Sequence, residues 1–144
     1  MAFIQPCFIR KNTPELRKKL EELGYIYIPN GRAEWFIPIE ELKYLVTYPQ
    51  SGCYKGCNGY WYKTDFDCGT NEELFLALAA LRDDTNKNQW FIAQGTIWVK
   101  DYNGEIITYY DEGELFLWNE YLFIEDNPSD FRKATVEEII EHFK

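Results

Sequence analysis

Thr96-Ile97-Trp98-Val99-Lys100-Asp101-Tyr102, then Asn103-Gly104, then Glu105-Ile106-Ile107-Thr108-Tyr109-Tyr110 is the stretch that decides the fold class. Two runs rich in β-branched and aromatic residues flank an Asn-Gly pair, the dipeptide that best tolerates the positive φ angles of a two-residue hairpin turn. The pattern predicts a hairpin, and Trp90-Phe91-Ile92 just upstream reads as a further strand. Tyr25-Ile26-Tyr27-Ile28, Pro29-Asn30-Gly31 and Glu34-Trp35-Phe36-Ile37 predict another hairpin with a longer loop. Lys43 to Tyr48 and Tyr60 to Phe66 predict a third, across a Gly/Cys loop containing Asn58-Gly59. Leu115 to Ile124 is apolar too continuously for periodicity to separate a buried strand from a short helix.

Helices are announced by their caps. Thr13-Pro14-Glu15 sets a hydroxyl before a proline at the first helical position, and Leu16, Leu20 and Leu23 recur on one face until Gly24. Thr70-Asn71-Glu72-Glu73 reads as a capping box leading into Leu74–Leu81, apolar nearly all round and so expected to be the most buried helix. Thr135-Val136-Glu137-Glu138 repeats the box ahead of a stripe of Val136, Ile139, Ile140 and Phe143. Hairpins with interspersed helices predict an α+β fold, a largely antiparallel sheet with about three helices packed on it. At 144 residues the expectation is a single globular domain over 1–144.

Charge is divided unevenly. Residues 1–64 carry 9 Lys/Arg against 6 Asp/Glu, a formal +3, while residues 65–144 carry 6 against 18, a formal −12. An acidic half suits a basic protein surface and disfavours direct nucleic-acid or anionic-membrane binding. The start of the chain lacks a signal-peptide pattern and no apolar run approaches the ~20 residues of a membrane span, so the expected location is cytoplasmic. Four cysteines are too few and too unevenly spaced for a disulfide scaffold and are expected to be reduced.

The residue types that carry chemistry form no familiar constellation. Asp65-Phe66-Asp67-Cys68-Gly69-Thr70 has the Asp-x-Asp of phosphoryl-transfer sites, but the Thr comes one residue late and the βα units for a parallel sheet are missing. Asp67 and Thr70 are better read as serving the start of the second helix. Cys7, Cys53, Cys57 and Cys68 lack the paired spacing of a zinc ribbon, so no metal and no cofactor are expected. His142, the only histidine, lies in the last turn of the C-terminal helix, where an imidazolium complements the helix dipole. Nucleophilic hydrolysis would have to route through it, which leans against an enzyme; carboxylate-only catalysis stays open, because such a pair is set by spatial separation.

Two segments carry a resemblance: Gly69 to Thr85 with Gln89-Trp90-Phe91, and Arg132 to Lys144. They resemble segments of short uncharacterised acidic proteins encoded by gut bacteria and their phages or mobile elements. The resemblance implies an accessory role and no activity.

The function expected is that of a non-catalytic acidic interaction domain, an accessory or inhibitor protein that binds a basic surface. Its sharpest form is a mimic of nucleic-acid charge, with Asp111, Glu112, Glu114, Glu120, Glu125, Asp126 and Asp130 standing where a partner expects phosphates. The bland alternative is a solvated face that keeps the domain soluble. A competing class is a small-molecule or glycan-binding protein, or a carboxylate-dependent hydrolase, that uses exposed aromatics; Trp, Tyr and Phe make up 18% of the chain. The oligomeric state is not legible at this level.

Overall fold

A computed structural model describes residues 3–27, 35–39, 44–47, 66–118, 123–124 and 130–144. Among these residues the chain forms three helices and eleven strands in antiparallel-rich sheets, an α+β fold. It divides into two compact units, Met1–Asp84 and Thr85–Lys144.

The first unit holds β1 (Cys7–Ile9), α1 (Pro14–Leu23), β2 (Ile26–Tyr27), β3 (Trp35–Ile39), β4 (Tyr44–Thr47), β5 (Phe66–Asp67) and α2 (Glu72–Ala79), with sheet order β2-β3-β4-β1-β5. Helix α1 forms where its caps place it: the Thr13 side chain accepts from Leu16 N, and Gly24 closes the other end in the left-handed region. Leu16 and Leu20 are fully buried. Helix α2 buries Leu74, Phe75, Ala77, Leu78 and Ala79, as its all-round apolar sequence requires. Its cap is Asn71 and not Thr70: Asn71 Oδ1 accepts from Leu74 N at 3.1 Å. The reason is the preceding turn, in which Asn71 N donates to Cys68 O, so the helix starts one residue later than the box pattern implies.

Two of the expected hairpins do not form. β2 pairs with β3 in parallel, Ile26 opposite Trp35, so Tyr25–Ile28 and Glu34–Ile37 are not the arms of one hairpin. The antiparallel neighbour of β3 is β4, with Phe36 opposite Thr47 and Ile39 opposite Tyr44. β4 and β5 are separated by β1, which runs antiparallel to β4 and parallel to β5. Cys7-Phe8-Ile9 was too short to register as a strand by periodicity, yet all three residues are buried. Pro38 sits in β3 beyond the end of the β2 pairing, which reaches only Phe36. The loop containing Asn58-Gly59 lies outside the described residues.

The second unit holds β6 (Trp90–Ala93), β7 (Ile97–Lys100), β8 (Ile106–Tyr110), β9 (Leu115–Leu117), β10 (Phe123–Ile124), β11 (Phe131–Lys133) and α3 (Val136–Phe143). Two three-stranded sheets, β10-β7-β8 and β11-β6-β9, are all antiparallel. They are the two halves of one ribbon. Ile92 lies opposite Leu115, and counting onward residue for residue across the break arrives at Ile97 opposite Tyr110, the pairing observed. Each strand of this long hairpin is interrupted at the same place, at Gln94-Gly95-Thr96 and at Asp111-Glu112-Gly113. β10 and β11 run along the other side of the central strand, facing β7 and β6 respectively. The ambiguous Leu115–Ile124 therefore carries strands at both ends, and residues 119–122 lie outside the description.

The Asn103-Gly104 hairpin forms, with a different turn from the two-residue one expected. Gly104 N donates to Asp101 O and Asp101 N to Glu105 O, a three-residue loop closed by Gly104 at φ 81°. Asp101 Oδ1 accepts from the amides of Asn103 and Glu105, satisfying donors that the turn leaves over. Only Gly104 takes positive φ, so Asn103 is spared the strain that the tighter turn would impose.

Candidate interaction surface

The ribbon has one well-packed face. Phe91, Ala93, Ile97 and Phe116 form a buried cluster, with Tyr110, Trp118 and Phe131 packed against it. The cluster crosses the break: Tyr110, on the β8 side, stacks on Phe116, on the β9 side, with ring centroids 4.8 Å apart. On the opposite face the two halves differ. Trp90 of β6 meets the end of α3, edge-on to Phe143 at 5.0 Å and tilted against His142 at 5.6 Å. α3 is held in register by the capping box, in which Glu138 N donates to Thr135 Oγ1 and Thr135 N to Glu138 Oε1, while Arg132 binds both oxygens of Glu138. The β7–β8 half exposes that face. Trp98 and Tyr109 are cross-strand neighbours with centroids 5.2 Å apart, and they are 41% and 52% exposed. Ile106 and Ile107 are each more than half exposed, and Tyr102 at the tip is 70% exposed.

The break beside this face carries acid. Glu114 N donates to Asp111 O, and Gly113, at φ 90°, donates to Ala93 O, while Ala93 N donates to Glu114 O. This is a turn set into a strand as a bulge, the geometry for which a glycine is needed at the first bulge position. Asp111, Glu112 and Glu114 are all exposed there, and Glu114 Oε1 accepts from the Asp111 amide at 3.2 Å. Asp111 Oδ1 accepts from Thr96 Oγ1 at 3.3 Å across the ribbon. Asp130, half-buried, reaches the same break from the other side, its backbone oxygen accepting from Gln94 N at 2.7 Å. Four of the seven acidic residues singled out in the sequence thus gather at one level of the ribbon. Glu120, Glu125 and Asp126 lie outside the described residues.

The unit boundary redraws the charge division. Met1–Asp84 carries 10 Lys/Arg against 12 Asp/Glu, a formal −2, and Thr85–Lys144 carries 5 against 12, a formal −7. The contrast is smaller than the 1–64 and 65–144 halves imply, because Asp65, Asp67, Glu72, Glu73, Asp83 and Asp84 belong to the first unit. The second unit is still the acidic one.

The other residues with chemical potential are occupied structurally. Asp67 takes a two-pronged contact from Arg10 at 2.8–3.3 Å and accepts from Gly69 N, which together hold its carboxyl below the usual range despite partial desolvation. It therefore braces β5 against the strand end of β1 and secures the turn before α2, without capping that helix itself. Cys7 and Cys68 are free and buried; the neighbouring Cys7 thiol and burial push the Cys68 thiol far up, away from the reactive thiolate. Cys53 and Cys57 lie outside the described residues. Among the described residues no three His, Cys, Asp or Glu side chains converge as a metal site would require. His142 is exposed on α3 and engaged with Trp90 and Phe143. Among the described residues no helix is long and apolar enough to cross a membrane.

Sequence reasoning named the acids but not Trp98, Ile106, Ile107 and Tyr109. A signal was present: Ile106-Ile107-Thr108-Tyr109-Tyr110 contains no charge and no alternation, a composition that ordinarily marks a strand buried on both faces. Compared with known protein families, curated proteins and solved structures, the chain matches none.

Proposed function

We propose that this protein is a non-catalytic interaction module whose acidic unit engages a basic surface of another protein. The observation that carries the reading is the exposed face of the β7–β8 half, where the Trp98–Tyr109 pair lies two residues along the strand from the exposed acidic break at Asp111, Glu112 and Glu114, and Ile106 extends the apolar area toward the tip. Aromatic and aliphatic area supplies affinity when it is desolvated, and the flanking charge steers a cationic partner into register. Arg side chains suit such a surface doubly, stacking on exposed rings and pairing with carboxylates. An accessory or inhibitory role, as the sequence resemblance implies, is compatible with a module that acts by occupying a basic site.

The test is the association rate with a partner recovered from the native host. Reversing Asp111, Glu112 and Glu114 to Lys should slow association on the order of tenfold at low salt, and raising the salt should slow the native protein in the same way. A partner that is acidic, or that binds equally fast at low and high salt, overturns the reading. The Trp98–Tyr109 pair also supports a second one, stacking against a small molecule or glycan. Salt separates the two, since binding of a neutral glycan would quench Trp98 fluorescence without depending on ionic strength.

A further inference from the structure

β8 is unusual among the edges of the second unit. It has one strand neighbour, β7, among the described residues, so one row of its backbone N–H and C=O groups points away from the sheet. The other edge strands are protected by shortness or charge: β10 spans two residues, β9 three, and β11 three including Arg132 and Lys133. β8 spans five residues with no charge and no proline, and Ile106, Ile107 and Tyr109 on it are each more than half exposed. Its one protective feature is the register shift at Ile107, which leaves Thr108, Tyr109 and Tyr110 regularly paired to β7.

An edge of this kind is completed by another strand, and charge decides which. Asp101 and Glu105 stand before β8, and Asp111, Glu112 and Glu114 stand after it. Antiparallel addition of a second copy would set the Asp111 end of one β8 beside the Glu105 end of the other. Parallel addition would set Asp111 beside Asp111. Both arrangements bring like charges together at each end, which is how interfaces reject a wrong partner.

We infer that an extended segment of the partner, apolar at its centre and basic at both ends, adds to β8 as a further strand. This rests on the reading of the acidic unit as a docking surface for a basic partner. Main-chain hydrogen bonds to Ile106–Tyr110 give the segment its register. Its terminal cations lie against Asp101/Glu105 and Asp111/Glu112/Glu114, and its side chains on the outer face extend the Trp98–Tyr109 surface.

The probe is a synthetic peptide with an alternating Val/Thr centre and two arginines at each end, titrated against the full chain. Two further versions carry backbone N-methyl groups on alternate residues, one on each of the two alternating sets. In a strand pairing, one set of amides faces β8 and the other faces solvent. The expected result is that the parent peptide binds, that one methylated version loses about tenfold or more in affinity while the other matches the parent, and that amides 106–110 gain hydrogen-exchange protection. Equal binding of both methylated versions would mean contact through side chains alone and would overturn strand addition while leaving the basic-partner reading intact. A parent peptide that does not bind also overturns strand addition, and the broader reading then stands or falls on the charge-reversed association rates. Dimerisation of the chain abolished by Tyr109→Lys would make the occupant a second copy and overturn the proposal.

Discussion

The two halves of the ribbon in the second unit share a register and a buried face, yet one has its outer face covered and the other exposes it. Trp90 in β6 and Trp98 in β7 stand on the same central strand with the same parity, eight residues apart in sequence. Trp90 is engaged by His142 and Phe143 of α3, while Trp98 and its neighbour Tyr109 present their rings outward. The difference shows that alternation tells which residues share a face, and only a distant element tells whether that face is solvent-exposed. A covered aromatic stabilises the fold, whereas an exposed one is available for binding.

The sharpest way to break this comparison is to truncate one aromatic from the packed face and one from the exposed face. Phe91→Ala removes a ring that touches Phe116, Trp118 and Phe131 and should cost about 3–5 kcal/mol. Trp98→Ala should cost about 1 kcal/mol or less, the scale of a cross-strand pair at a sheet surface. Chemical denaturation of the two variants checks this, and similar losses would mean that the outer face of β7–β8 is structural.

In the first unit, Leu78→Ala should cost about 2–5 kcal/mol, because Leu78 is fully buried in α2. Native-state hydrogen exchange of the α2 amides checks it, and unchanged protection there would show that Leu78 is not central to the first unit.

The covering helix can be loosened without touching the sheet. Thr135→Ala removes the hydroxyl that accepts from Glu138 N and should cost about 0.5–2 kcal/mol, with Trp90 fluorescence shifting to longer wavelength as α3 frays. An unchanged Trp90 environment would show that the helix does not depend on its cap.

The smallest effect expected is a pH effect. The guanidinium of Arg132, then the Thr135 amide, holds the Glu138 carboxyl down from an ordinary 4.5 to about 2. A depressed carboxylate stabilises the fold above its unfolded pKa, and that contribution is lost as pH falls through the folded value, so the window runs from about 4.5 down to about 2. Glu138→Gln should flatten the acid dependence of stability in that window and leave the slope near neutrality unchanged. Midpoints measured against pH for both proteins check it.

Features set by neighbouring residues were largely legible, although the Asn103-Gly104 turn is a three-residue loop and not the two-residue one expected. Thr13 and Thr135 cap their helices because a cap depends on the residues within one turn, and the Asn103-Gly104 hairpin closes because its partners are neighbours in the chain. Where a competing local bond existed the reading slipped by one residue, as when the turn ending in the Asn71 amide displaced the cap from Thr70. Strand partners were less legible. Side-chain alternation is identical in parallel and antiparallel pairs, so nothing in Tyr25–Ile37 revealed that β2 and β3 run the same way, and nothing near Cys7 revealed a strand inserted between β4 and β5.

The candidate surface divides in the same manner. Its acids were visible as composition, but their gathering at one break depends on Gly113 and on the hydrogen bond that brings Asp130 to Gln94. By itself the sequence determined the α+β class, the three helices and the acidic character of the C-terminal region, because caps, periodicity and charge are properties of neighbouring residues. Only the tertiary structure decided which aromatic face α3 covers and which strand lies at the edge of its sheet among the described residues, because burial and strand pairing are settled by residues far apart in the chain.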